Sequence, residues 1–326
     1  MRVIVSGVTG FLGGRLCRHL RDAGHDVVGL GRNLEKGVAL ERDGVRFVAC
    51  DLGEDLAAPL LKAIGAADAF VHAGALSSPW GARAAFGRAN VTGTSNALDL
   101  ARAAGARRFV FVSSPAVLFR FADQFDVSES EEFPRPVNSY AWSKQLAERA
   151  VLAAGDLSPI VLRPRAIYGP GDVALLPRLI RAAASGPLPL LRGGEARSNL
   201  TYIDDVVRAI EAALAAPDAF AGRVFNIAGE ALVLREVVEQ AAGAAGIVVR
   251  WRNLPWPLAV AAARAMEAAA RLMPGAPEPR VTAYGLGLLA FSHTLDTSAA
   301  RTALRFEPSV GFEEGLARTF AGRGAP

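Results

Sequence analysis

Among 326 residues there are only two cysteines, four histidines and three lysines. Cys17 and Cys50 belong to no CxxC pair and no disulfide framework, so they read as small buried hydrophobes in a reducing compartment. His19, His25, His72 and His293 lack ligand spacing, and no metal is expected. A basic run with interleaved aromatics is also missing. Net charge is +4 and arginines alternate with acids, as in RDAGHDVVGLGRNLEKGVALERD, so nucleic-acid binding is not expected. The mild positive balance still favours an anionic ligand.

Long apolar runs are lacking as well. NLPWPLAVAAA (253–263) and VTAYGLGLLAFS (281–292) fall short of the roughly 20 residues that span a bilayer. They bracket an Ala-rich helix carrying Arg264, Glu267 and Arg271, read as packing or pocket lining in preference to lying on a membrane surface. The opening MRVIVSGVTGFLGG begins a strand and a glycine loop at once, so no signal peptide is expected and the location expected is cytoplasmic.

What is present is a regular alternation. Short β-branched runs lie at Val3–Ser6, Asp26–Leu30, Arg46–Ala49, Ala69–His72, Phe109–Ser113 and Ile160–Leu162. Helical patterns at Leu12–Ala23, Phe86–Ala104 and Tyr140–Ala154 stand between them, with Gly24, Gly105 and Gly155 where each should stop. Wholly apolar strands separated by helices indicate a parallel sheet covered on both faces: an α/β, doubly wound Rossmann fold. Residues 1–168 are assigned to it, with a return near 200–216. Residues 169–326 are assigned mostly to a smaller C-terminal α/β substrate lobe, including a helix at Ile203–Ala215 and a strand at Val224–Ile227.

VIVSGVTGFLGGRL places Gly7, Gly10 and Gly13 at three-residue steps after the first strand and at a helix start. Gly7 allows the tight turn, Gly10 lets a pyrophosphate approach, and Gly13 lets helix and strand pack; the helix-start N–H groups stabilise phosphate charge. Where the second strand ends, an acid would bind the ribose 2′-hydroxyl of NAD. Here Gly31-Arg32-Asn33 offers an arginine instead, which suits a 2′-phosphate, so NADP(H) is preferred over NAD(H). Asp51-Leu52 stands at the adenine edge; Asp51 either accepts from the adenine amine or caps the next turn.

In YAWSK, Tyr140 and Lys144 are four apart and share a helix face. Asn138 or Ser139 caps that helix. A free phenol titrates near pH 10, and a unit charge ~4 Å away is worth ~4 kcal/mol at an effective dielectric of ~20, so Lys144 is expected to bring Tyr140 towards neutral working range and to bond the nicotinamide ribose. RFVFVSSP ends a strand in Ser113 and Ser114, either of which can bond a substrate carbonyl oxygen. Asn90, on the preceding helix, either is structural or holds a water in a proton path to Lys144.

The chain resembles the extended short-chain dehydrogenase/reductases along essentially its whole length. SGVTGFLGG, DL at 51–52, VHAGA at 71–75, ANVTGT at 89–94, VSSPAV at 112–117, YAWSK, LRPRAIYGPGD at 162–172 and TYIDDV at 201–206 carry the likeness. ALSSPWG and RPRAIYGPGDVALLPRL are similar to the 3β-hydroxysteroid dehydrogenase group, which includes bacterial 2-alkyl-3-oxoalkanoate reductases. The resemblance implies a catalytic set of Tyr140 as proton donor/acceptor, Lys144 as ribose and pKa partner, Ser114 (with Ser113 as fallback) as carbonyl binder, and Asn90. It implies cofactor contacts at Gly7, Thr9, Gly10, Phe11, Leu12 and Gly13, at Arg32, Asp51 and Leu52, and at Ala73, Gly74, Tyr140 and Lys144. Substrate contacts are expected at Ser78, Trp80, Tyr168 and Arg165.

The implied activity is hydride transfer between NADP(H) and a ketone or secondary alcohol on a bulky hydrophobic substrate, a 2-alkyl-3-oxoalkanoate or 3-oxosteroid type. Arg165 or Arg178 either pairs with a substrate carboxylate or is structural, and Trp251 and Trp256 either line a pocket or are core. A sugar-nucleotide epimerase or dehydratase with retained NAD is the rival. It fits less well because Ala166 stands where those enzymes commonly carry Asn, and Ser198 where they tend to carry Arg, with Arg197 beside it. A dinucleotide-binding protein without catalysis is the third reading. A homodimer through 86–104 and 140–154 is what the resemblance suggests.

Overall fold

β1 (Arg2–Ser6), β2 (Asp26–Gly31), β3 (Arg46–Ala49), β4 (Ala69–His72) and β5 (Arg108–Val112) form one parallel sheet with the strands Pro159–Pro164 and Arg223–Ile227. The computed structural model describes residues 1–54 and 58–321. From one edge to the other the order is Arg223–Ile227, Pro159–Pro164, β5, β4, β1, β2, β3. β4 and β5 are buried along their whole length, which explains why they are apolar apart from His72 at the end of one and Arg108 at the start of the other. Leu12, Leu16 and Leu20 of helix α1 (Phe11–Asp22) pack on one face with Val206 and Ile210 of the helix Ile203–Leu214. Leu98 and Ala101 of the helix Gly93–Ala103 pack on the other with Ala147 and Val151 of the helix Ser139–Ala153.

After β1 the chain builds outward through β2 and β3, then returns to β4 on the other side. Val5 is therefore in register with Gly29 on one flank and Val71 on the other. The strand order reverses here, and a crevice opens at the carboxyl ends of β1 and β4.

Two elements differ from the sequence reading. Arg223–Ile227, assigned above to the second lobe, is the edge strand of the main sheet, with Val224 opposite Val161. The helix Ile203–Leu214 makes the crossover that two adjacent parallel strands require. The single helix expected over 86–104 is broken: Arg83–Phe86 is α-helical, Gly87–Thr92 is a π-helical turn, and Gly93–Ala103 resumes the α-helix. Such turns insert an extra residue and often mark sites of function.

The smaller lobe holds a four-stranded sheet ordered Ala231–Val233, Arg197–Asn199, His293–Leu295, Gln124–Val127. Both tryptophans of this lobe serve packing: Trp256 meets Phe291 edge-on at 4.9 Å, and Trp251 donates Nε1–H to Glu239. Among the described residues no helix is long and apolar enough to cross a membrane.

Candidate active site

Gly7 ends β1 at φ +78°, a backbone conformation side chains rarely adopt. Its amide and that of Val8 both donate to Leu30 O, at 2.9 and 3.2 Å. A Cβ on Gly7 would stand 2.6 Å from Gly74 Cα, and one on Gly13 would overlap the Gly7 carbonyl. Gly10 caps α1 without a side chain, so the first-turn amides of Phe11, Leu12 and Gly13 are the orphan donors of a helix start. Half-buried Thr9 packs under Gly31, and Ala73 and Gly74 close the opposite wall. Together these features leave a concave strip of free N–H groups at the positive end of a helix, which fits a pyrophosphate.

Arg32 is exposed at the end of β2, with Nη1 3.6 Å from Asp51 Oδ2. Asp51 Oδ1 accepts from Gly53 N at 2.9 Å, so the carboxylate caps a turn while its other oxygen faces Arg32. Leu52 is half-buried against Gly93.

On the far side of the crevice, Asn138 Oδ1 accepts from Ala141 N at 2.8 Å and starts the helix that carries Tyr140 and Lys144. Tyr140 is half-buried beside Phe86. Burial pushes its pKa above the ordinary value, and hydrogen bonding with Ser114 and Ser77 pulls it back. Ser114 Oγ accepts from Ala116 N at 3.2 Å, which leaves its own proton for the cleft. Ser113 turns inward and donates to Glu148 Oε2 at 2.5 Å, within a buried Glu148–Arg163 pair. The strand-end hydroxyl beside the phenol is therefore that of Ser114.

Lys144 departs from the expected arrangement. It is 2 % exposed; Nζ donates to Val112 O at 2.7 Å and lies 4.2 Å from the Phe111 ring centroid. Burial pulls its pKa down to about 7, opposed by Glu148 one turn on. The Tyr140 pKa moves up, chiefly by burial, where a lowering was expected. An ammonium has three donors, and Val112 takes one, so the others remain for a ligand hydroxyl.

Of the two roles open to Asn90, its side-chain bonds are those of the structural one. Its Oδ1 accepts from Leu76 N at 2.7 Å, and Nδ2 donates to Leu76 O at 3.1 Å and Ser143 Oγ at 2.9 Å. With both donors taken, it is a positioning residue that pins the loop bearing Ser77 to the Tyr140 helix. Beneath it runs a relay that sequence reading missed. Gly74 N donates to Ser6 Oγ, which meets His72 Nδ1 at 2.6 Å; His72 Nε2 meets Thr94 Oγ1 at 3.1 Å, and Thr94 donates to Asn90 O. Since Thr94 spends its proton on Asn90, the consistent tautomer has His72 protonated on Nε2.

The expected substrate residues scatter. Tyr168 is core, 1 % exposed and packed edge-on against Tyr202 and Phe312, not a pocket residue. Ser78 Oγ closes a turn onto Trp80 O, and Trp80 Nε1 donates to Ala276 O, tying that loop to the smaller lobe. Ser77, one residue earlier, is the serine of this loop that lowers the Tyr140 pKa, against the larger rise from burial. Arg178 forms a surface ion pair with Glu278. Arg197 is exposed, on the opposite face of its strand from buried Ser198. Arg165 is buried, with Nε donating to Ser198 Oγ at 2.9 Å.

A phosphate cradle at a sheet's switch point, facing a tyrosine and a buried lysine one helical turn apart, defines a nucleotide-dependent enzyme of hydroxyl and keto carbons. The chain belongs to the NAD dependent epimerase/dehydratase family, whose model matches residues 3–228. It is an NAD(P)-dependent oxidoreductase of the extended short-chain dehydrogenase/reductase kind, acting on CH–OH or C=O groups. It is 35% identical to a 2-alkyl-3-oxoalkanoate reductase of Stenotrophomonas maltophilia, over all of both chains. It is 32% identical to a 4-hydroxy-2-methyl-3-oxo-4-farnesyl-3,4-dihydroquinoline-1-oxide ketoreductase of Stigmatella aurantiaca, over 97% of this chain and 95% of that one. Among solved structures, MoeE5 in complex with UDP-glucose and NAD superposes with a TM-score of 0.75 at 26% identity, over 98% of each chain.

Proposed function

We propose that this chain is an NADP(H)-dependent reductase that interconverts a ketone and a secondary alcohol on a bulky, apolar substrate of the 2-alkyl-3-oxoalkanoate or 3-oxosteroid type. The observation that carries this is the pairing of Tyr140 with Lys144 one helical turn on, Lys144 being buried and bonded to Val112 O on the strand that leads into Ser114. Bound NADPH supplies the hydride that adds to the ketone carbon. Tyr140 gives its proton to the ketone oxygen, and Ser114 donates a hydrogen bond to that oxygen as negative charge develops. A phenol held neutral by burial is in the form that donates a proton. Lys144 holds the ribose hydroxyls through its free N–H groups. Arg32 accounts for the preference for a 2′-phosphate.

Two observations speak against the sugar-nucleotide reading. Ala166, where epimerases commonly carry Asn, sits at φ +44°, a conformation Asn tolerates better than Ala, so the amide is missing where the backbone would suit it best. Ser198, where an Arg is common, serves as acceptor for Arg165.

Oxidation of NADPH and NADH is to be followed with short and long 2-alkyl-3-oxo acids, a 3-keto sterol and a UDP-sugar. Net NADPH consumption with an acid or the sterol is expected. Isomerisation of the UDP-sugar without net cofactor consumption would replace this reading with the epimerase. Cofactor binding without turnover of anything offered would leave the non-catalytic one.

A further inference from the structure

Three arginines near the sheet are almost fully buried. Arg108 pairs with Asp218 and Arg163 with Glu148. Arg165, at 7 % exposed, forms no ion pair among the described residues, and the one hydrogen bond of its guanidinium there is from Nε to Ser198 Oγ. A buried cation without a counter-charge is costly and is kept where a ligand supplies the missing anion. Both Nη groups remain available, the fork that suits a carboxylate.

The surroundings also offer donors, and among the described residues no acid pairs with Arg165. Ser198 is in register with His293, which is fully buried with no hydrogen-bond partner on either ring nitrogen among the described residues. The Phe119 ring stands edge-on to His293 at 5.6 Å and to Tyr284 at 5.4 Å, so these two share one aromatic wall. Burial raises the Tyr284 pKa to about 12, with Arg165 pulling it down and Tyr140 pushing it up.

We propose that Arg165, with Tyr284 as a second donor, anchors a carboxylate on the substrate, so that the enzyme selects a 3-oxo or 3-hydroxy acid over a neutral sterol or a nucleotide sugar. The inference rests on the reading of Tyr140 as the proton-transfer group.

The stable test substrates are 2-alkyl-3-hydroxyalkanoates of several chain lengths and their methyl esters, oxidised with NADP⁺ by the full chain and its R165Q, R165K and S198A variants. Wild type is expected to prefer acid to ester. R165Q should lower the acid-to-ester ratio of kcat/KM by about ten- to a hundredfold, R165K by less, and S198A by a few fold through loosened aim. NADP⁺ affinity, titrated separately, reports an intact fold. An unchanged ratio in R165Q with intact NADP⁺ binding overturns the anchor. If R165Q does not fold, calorimetry on the wild-type NADP⁺ complex decides: acid and ester binding equally tightly overturns it, and tighter acid binding weakened in S198A upholds it. A wild type that turns over neither compound at any chain length overturns the reading of the site itself, and the anchor with it.

Discussion

From Val3 to Leu16 one strand, one loop and one helix start supply most of the nucleotide crevice, and they supply it with backbone. Around Tyr140 nearly the reverse holds. Ser77 comes from a loop after β4, Ser114 from the end of β5, Arg165 from beyond Pro159–Pro164 and Tyr284 from the helix Ala283–Ala290. The crevice depends on side chains being absent, because a Cβ at Gly7 meets the Gly74 backbone. The pocket depends on particular side chains being present, each aimed by a neighbour. A backbone cradle recognises what all dinucleotides share, whereas gathered side chains distinguish one substrate from another. The Asn90 and His72 bonds tie the two regions together, so loop, strand ends and catalytic helix are set in one frame.

The sharpest way to separate the regions is Tyr140→Phe. Loss of the phenolic proton should lower turnover by about a hundred- to ten-thousandfold. NADPH affinity, read by fluorescence titration, should hardly change. Turnover within about threefold of wild type would mean that the proton takes another route. Gly7→Ala makes the opposite cut. It forces a Cβ into Gly74 and an L-residue into φ +78°, strain of roughly 1–2 kcal/mol before the clash is counted. NADPH affinity should fall about a hundredfold, and urea denaturation should show lower stability. Unaltered affinity would mean that the cradle is not where the pyrophosphate binds.

Each region also contains a buried histidine, and the two differ in their bonds. His72 is pulled down to about 3, chiefly by burial and then by Lys144; His293 is pulled down to about 2, chiefly by burial and then by Arg165. Both therefore stay neutral in the native protein where the unfolded chain would take up protons. Below about pH 6.5 the unfolded state binds the extra protons, so stability should fall with acidification, by roughly 1 kcal/mol per pH unit for each histidine. His293→Phe removes no hydrogen bond and should flatten that slope without loss at pH 7. His72→Phe strips partners from Ser6 and Thr94 and should cost about 1–3 kcal/mol at pH 7. Guanidinium melts at pH 7 and pH 5 read both, and equal behaviour of the two variants would erase the distinction.

The same contrast explains what the sequence made legible. Glycine spacing after a strand reads directly, because the requirement is a residue identity within one contiguous stretch. The Tyr140–Lys144 pair reads from helical periodicity, but where Lys144 points does not, since Val112 O is over 30 residues away in the chain. Ser77 in place of Ser78 depends on which way a loop turns. That Arg178 is paired and Arg165 is not depends on tertiary placement: Glu278 reaches Arg178, and among the described residues no acid pairs with Arg165. The π-helical turn at Asn90 has no residue signature of its own, and the amide's three bonds to Leu76 and Ser143 join segments far apart in the chain. The edge strand Arg223–Ile227 needed the crossover helix to be placed before its sheet could be known.

Arg32 tests the comparison at its finest, because it is a side chain working in the backbone-built region. Its guanidinium is 66 % exposed, and its one ion pair, with Asp51, is long and solvated, worth at most about 1 kcal/mol. Releasing it to a 2′-phosphate therefore costs little, and the gain is a charge-assisted contact at the surface. Arg32→Ala should lower the NADPH-to-NADH ratio of kcat/KM by about tenfold or less, with kcat almost unchanged, and the effect should shrink as salt is raised. If the ratio does not move, discrimination lies in the backbone or in Asp51. In that case Asp51→Ala, which frees Arg32 while removing the cap on Gly53, should shift the ratio where Arg32→Ala did not.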